Sequence, residues 1–89
     1  MTVSFQTDIL PLFRSIDINH MKPMGVLLDD FSYMSDPTGD STYPDHTNAR
    51  TVYCYLTGDC QPQMPIGGPF WTPAQLQLFL QWMTDGFQP

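Results

Sequence analysis

The chain has 89 residues, which suffices for one domain with a small core but not for two. Its nine acidic residues are all aspartates and its only bases are Arg14, Lys22 and Arg50, so the net charge is −6 at pH 7. This charge argues against binding to nucleic acids or anionic membranes, whose phosphates would repel the chain.

Composition also bears on the secondary structure. The chain contains nine prolines and six glycines, which are typical of turns and loops. Aspartate is unfavourable inside helices and concentrates in caps and turns, because its short carboxylate competes for nearby backbone amides. Composition therefore supports short helices joined by long loops. Together with the elements described next, it leads us to expect a small all-α domain of about four short helices.

The first predicted helix is "TDILPLF". Thr7 can cap its N-terminus and Asp8 suits the positive end of its dipole. We expect Ile9, Leu12 and Phe13 to face the core. Further along, "DDFSYM" predicts one or two helical turns around an apolar phenylalanine and methionine, with a capping role for the Asp29–Asp30 pair.

Two further helices are predicted in the C-terminal half. "NARTVYCYLTG" is a helix capped by Asn48 and ended by Gly58, with an inner face of Val52, Tyr55 and Leu56. The closing helix starts with Thr72 as N-cap and Pro73 at the first position, and ends before Gly86. One apolar face of this helix has helical spacing and a second strip accompanies it; their members are Leu76, Phe79, Leu80 and Met83, and Leu78 and Trp82.

These pieces occur in a familiar order. A helix "F..DI.PLF", a loop carrying a histidine, "L.DF..Y", a helix ending in glycine, "MP.GGP.W" and the closing helix "TPAQLQLFLQWMTDG" follow one another from Phe5 to Gly86. This order resembles small class I cytochrome c domains. The resemblance implies a cytochrome c-like fold over residues 1–89.

The resemblance also implies ligand positions for haem. His20 matches the family's histidine ligand, and Met64, followed by Pro65, matches its methionine ligand. Ile16 and Asn19 stand where the family has the two cysteines that attach haem, so covalent attachment is excluded. Noncovalent haem held by His20 and Met64 stays an alternative, because His/Met ligation does not depend on the thioether bonds. The leading expectation is that no cofactor is bound.

Copper is a second alternative at the same segment. His20, Met21 and Met24 lie close together in "SIDINHMKPM", and an imidazole with thioethers is a soft ligand set suited to Cu(I). Methionine is also a common gap-filler in cores. A structural role for these methionines is the competing interpretation.

Cys54 and Cys60 are spaced neither like zinc ligands nor like a Cys-x-x-Cys redox motif. Gly58 between them makes a disulfide sterically feasible, and that bond would stabilise the fold by about 2 kcal/mol in a loop-entropy model. Two free thiols are the alternative and the default in a reducing cytoplasm.

No catalytic constellation is visible in the sequence. His46 is expected to be a solvated loop residue beside Asp45, and the scattered aspartates form neither a triad nor a carboxylate pair. We therefore expect a protein that is not an enzyme.

These observations favour a haem-free cytochrome c-like interaction module, a small subunit or accessory protein of an oxidoreductase or metalloenzyme. Its expected partner is a larger protein subunit, contacted through Phe70, Trp71 and Phe87. The chain opens with no basic and apolar leader and has no run of about 20 apolar residues, so we expect a cytoplasmic location.

Overall fold

Helices and turns make up the ordered elements of the computed structural model, which describes residues 2–65 and 67–89 and contains no strand within them. The all-α prediction is confirmed for these residues. Their α-helices are α1 (Ser15–Met21), α2 (Phe31–Met34), α3 (Thr47–Thr57) and α4 (Pro73–Thr84). Helix α1 is preceded by a π-helical turn (Phe5–Ile9) and a 3₁₀ turn (Leu10–Leu12), and it is followed by a second 3₁₀ turn (Lys22–Met24).

Helix α4 forms as its end signals predict. The Thr72 hydroxyl accepts a hydrogen bond from the Gln75 amide at 3.2 Å, and the Gln75 side chain accepts one from the Thr72 amide at 2.8 Å, which completes a capping box. Phe79 and Trp82 on this helix are completely buried. Leu80, a member of the apolar face listed from the sequence, is 38% exposed.

The N-terminal segment packs against α4, with the ring centroids of Phe5 and Trp82 5.4 Å apart. It begins earlier than predicted. The hydroxyl of Ser4 accepts a hydrogen bond from the amide of Thr7 at 3.3 Å, so Ser4 is the N-cap and Thr7 lies inside the turn. Ile9 and Phe13 are buried as expected, whereas Leu12 is half-buried.

Helix α2 is capped by Asp30, whose carboxylate accepts hydrogen bonds from the amides of Ser32 and Tyr33 at 2.9 and 3.4 Å. The predicted capping role is thereby confirmed for Asp30. A negative side chain at this end also offsets the partial positive charge of the first helical turn.

Helix α3 packs against both α2 and α4. It ends at Gly58, as predicted, in a left-handed conformation with φ of +89°. The predicted cap at Asn48 is wrong, because the helix starts two residues earlier than such a cap implies and His46 occupies the cap position. The Asn48 amide instead donates to the carbonyl of Tyr33 at 3.0 Å and joins α3 to α2.

The burial of Trp71 and Phe87 corrects the prediction that they contact a partner. Trp71 is 8% exposed and packs against Phe13, with ring centroids 5.2 Å apart. Phe87 is 7% exposed and packs against Trp82, with centroids 5.2 Å apart. Both rings are therefore part of the core in this chain, while Phe70 is 51% exposed.

Candidate functional site

The segment "SIDINHMKPM" forms helix α1 and the 3₁₀ turn that follows it, rather than the predicted loop. The backbone amide of Arg14 donates to Asp17 at 3.3 Å, and its guanidinium makes two further hydrogen bonds to the same carboxylate at 2.9 Å. The bond to Arg14 holds the pKa of the Asp17 carboxyl below its usual range. This pair orders the start of the helix that carries His20.

His20 and Met64 line one cavity, which we call the His20 cavity. It has a volume of about 200 Å³, and Arg14, Ile16, Asp17 and Met21 contribute further parts of its wall. The His20 side chain is exposed, whereas Met21 and Met64 are 8% and 5% exposed. The fold thus brings together the imidazole and the thioether that the resemblance paired.

The loop that carries Met64 is held against helix α3. The amide of Met64 donates to the carbonyl of Tyr55 at 2.9 Å. Cys54 and Cys60 are joined by a disulfide, and the Cys60 amide donates to the Cys54 carbonyl at 3.0 Å. Of the two alternatives left open by the sequence, the structure has the disulfide. Disulfides are rare in the cytoplasm of most cells, so this bond is an observation against the expected cytoplasmic location.

The dimensions of the His20 cavity do not fit haem. Its volume of about 200 Å³ lies below the roughly 300–1,000 Å³ of pockets that enclose drug-sized ligands, and a porphyrin needs at least such a pocket. Ile16 borders this cavity from a position where the cytochrome family has a cysteine. In this conformation the cavity between His20 and Met64 is therefore smaller than a pocket that would enclose the macrocycle.

The soft ligands predicted for copper are divided between two cavities. His20 and Met21 line the His20 cavity together with Met64, whereas Met24 lines a neighbouring one. Within the described residues, no three His, Cys, Asp or Glu side chains converge on a potential metal position. A copper site in this fold would thus use Met64 in place of Met24.

The neighbouring cavity, which we call the methionine cavity, has a volume of about 290 Å³. Met21 and Met64 line both cavities and separate them, and Met24 stands at its edge with 66% of its surface exposed. Helix α3 supplies its opposite wall, including Val52 and Tyr55. Sequence reasoning missed this cavity because its walls come from segments far apart in the chain.

His46 is not the solvated loop residue that was predicted. Its ring stacks on Phe87 with centroids 3.7 Å apart, and its Nδ1 lies 2.8 Å from a carboxylate oxygen of Asp45. Arg50 also binds this carboxylate at 2.8 Å. The hydrogen bond from His46, and then that from Arg50, lowers the pKa of the Asp45 carboxyl. The stack joins the start of α3 to the end of the chain, which indicates a structural role for His46.

Comparison with protein-family models, curated proteins and solved structures found no match to this chain. The cytochrome c-like resemblance therefore stays a prediction from the order of sequence motifs. Among the described residues, no helix has both the length and the hydropathy needed to cross a membrane.

Proposed function

We propose that the chain is a haem-free domain of cytochrome c-like ancestry that acts as a non-catalytic interaction module. In this proposal it serves a larger cytoplasmic oxidoreductase or metalloenzyme as a small subunit or accessory protein. The enzyme class comes from the resemblance alone, since one fold supports many functions. The Cys54–Cys60 disulfide is evidence against one part of this proposal, the cytoplasmic location.

Two exposed apolar side chains, one that borders the His20 cavity and one close in the chain to a glycine that lines it, are the observation that supports an interaction surface. Ile16 is 68% exposed and borders this cavity, and Phe70 is 51% exposed. Gly68, two residues before Phe70, lines the same cavity and accepts a hydrogen bond from Arg14 at 3.4 Å. Large apolar groups around a concavity are typical of contact sites, because covering them removes apolar surface from water.

Charge indicates the chemistry of the partner. The chain carries a net charge of −6, and two of its three basic residues are engaged by aspartates, in the pairs Arg14–Asp17 and Arg50–Asp45. An acidic protein associates faster with a basic surface and is repelled by an acidic one. We therefore expect the partner to offer an apolar recess surrounded by lysine or arginine.

The test begins with the protein that co-purifies with this chain, followed by measurement of the dissociation constant of the purified pair by calorimetry. Phe70→Ser and Ile16→Lys should each weaken binding by at least about tenfold, as expected for residues that anchor a contact. Leu80→Ser is the matched control, because Leu80 is also an exposed apolar residue but lies on α4 outside this surface. Its dissociation constant should stay within about twofold of the wild type.

Two results would contradict the proposal. One is isolation of the chain only as a free monomer from gently lysed cells. The other is a partner whose affinity is the same for the wild type, Phe70→Ser and Ile16→Lys. Far-ultraviolet circular dichroism of each variant shows whether the helices are retained, which separates lost contact from lost fold.

Copper handling is a second candidate, supported by the imidazole of His20 and the thioethers of Met21 and Met64 around one cavity. Competition titration of Cu(I) against a chromophoric chelator measures this affinity. Met64→Leu should reduce it, whereas Met24→Leu, which alters only the other cavity, should leave it unchanged. Equal effects of the two variants, or no competition by the wild type, would argue against this candidate.

A further inference from the structure

The methionine cavity is a concave site built by four separate parts of the chain. Met21 and Met24 come from the end of α1 and the turn after it, Tyr33 comes from α2, Thr51 from α3, and Met64 from the loop that the disulfide holds. Such a site exists only in the folded chain. Its floor is buried, while Met24 at its edge is exposed, so a molecule can enter from solvent.

None of the described residues that line this cavity carries a charge. This is notable in a chain with twelve charged residues, nine of them acidic. An ion entering the cavity would lose hydration without gaining a partner of opposite charge, which is strongly unfavourable. Burial also raises the pKa of Tyr33 in its wall, as expected where the surroundings stabilise neutral groups better than charged ones. The lining therefore selects an uncharged ligand.

Volume and side-chain chemistry narrow the ligand class further. The cavity measures about 290 Å³, roughly twice an apolar cavity of about 150 Å³ that is known to hold benzene. Met21, Met24 and Met64 are flexible and polarisable, and thioether sulfurs make favourable contacts with aromatic rings. A fused-ring aromatic molecule matches both the volume and the lining.

We propose that the methionine cavity binds a small uncharged aromatic molecule of the size of indole. The aromatic ring would lie among the three thioethers and the side chains of Val52 and Tyr55, where it is removed from water. The proposal is independent of the interaction surface, because Ile16 and Phe70 do not line this cavity.

Indole itself is the probe, titrated into ¹⁵N-labelled protein and followed by two-dimensional NMR. We expect saturable shifts at the amides of Thr51, Val52 and Tyr55, with a dissociation constant of about 0.1–1 mM, as is usual for so small a ligand. Thr51→Phe fills the cavity and should weaken binding at least about tenfold. Met24→Lys changes an exposed edge residue without touching the core, and it should weaken binding about threefold or more.

Ile16→Lys is the matched control for Met24→Lys, because the two side chains are 68% and 66% exposed but border different cavities. The Ile16→Lys variant should bind indole with the same dissociation constant as the wild type. The proposal is overturned by an absence of saturable shifts up to about 5 mM indole, ten times the middle of the expected range. It is overturned equally by shifts centred on His20, or by equal affinities of the wild type and Met24→Lys. If the wild type does not bind indole but Met24→Lys abolishes binding of a protein partner, the cavity accommodates a side chain of that partner instead.

Discussion

Replacing Phe87 with alanine should lower the free energy of unfolding by about 3 kcal/mol, because the ring belongs to the core. It is 7% exposed, stacks on His46 with centroids 3.7 Å apart and meets Trp82 at 5.2 Å. Substitutions of buried phenylalanine by alanine cost roughly 3–5 kcal/mol. We expect the lower end, since Phe87 lies outside the helices and its segment can partly collapse into the space.

Urea denaturation followed by tryptophan fluorescence measures this loss. For a domain of this size the slope is about 1 kcal/mol per M, so the midpoint should fall by about 3 M. Small domains are stable by roughly 5–15 kcal/mol, which leaves the variant folded in water if the wild type lies above the lower limit. If the wild type is less stable than this, Phe87→Leu can be measured instead, because leucine keeps more of the buried volume and lowers the free energy of unfolding by less.

Two further variants, Phe70→Ala and Phe87→Gly, are compared with Phe87→Ala in the same experiment. Phe70→Ala removes the same side chain from a position that is 51% exposed, and it should change stability by no more than about 0.5 kcal/mol. Phe87 has φ of +58°, where residues other than glycine are strained by about 1 kcal/mol, so Phe87→Gly should be at least as stable as Phe87→Ala. If Phe87→Ala and Phe70→Ala prove equally stable, Phe87 is not a core residue, and the prediction that it contacts a partner stands again.

Three further outcomes follow from the local geometry. Replacing Cys54 and Cys60 together with serine should lower the free energy of unfolding by about 2 kcal/mol, and treatment of the wild type with a reductant should match it in the same urea experiment. Thr72→Ala should cost about 1 kcal/mol through loss of the α4 cap, whereas Thr72→Ser, which keeps a hydroxyl, should cost much less; equal losses would exclude a capping role. The pKa of Asp85 is lowered chiefly by the backbone amide of Val3, which donates to its carboxylate at 3.0 Å. A lowered carboxyl pKa stabilises the fold above the unfolded-state value near 4 and this stabilisation is lost as the pH falls through the folded-state value, so acidification from about pH 5 to 2 should destabilise the wild type more than Asp85→Asn. Identical pH profiles would show that the hydrogen bond to the amide of Val3 contributes nothing.

Three helix ends could be predicted from short-range signals in the sequence. Thr72 caps α4, Asp30 caps α2 and Gly58 ends α3, because each of these effects acts within one helical turn of the residue that causes it. Where two possible caps lie within one helical turn of each other, the prediction selected the wrong residue. Ser4 rather than Thr7 caps the first turn.

The candidate site could be predicted only in part. The resemblance paired His20 with Met64, and the fold places both at one cavity. Proximity in the sequence was a poor guide to Met24, which lies four residues from His20 but lines the other cavity, because the chain changes from an α-helix to a 3₁₀ turn between them. A short change in helical pitch is enough to redirect a side chain.

By itself, the sequence determined the helical class of the described residues, the net acidic charge and the helix ends at Asp30, Gly58 and Thr72. Charge follows from composition, and capping acts within one helical turn. Only the tertiary structure decided which apolar side chains are covered. Trp71 and Phe87 are buried while Ile16 and Phe70 are exposed, although all four are apolar residues at the edges of helices or in loops. Burial depends on the neighbours that distant segments bring, and a pattern of adjacent residues carries no record of those neighbours.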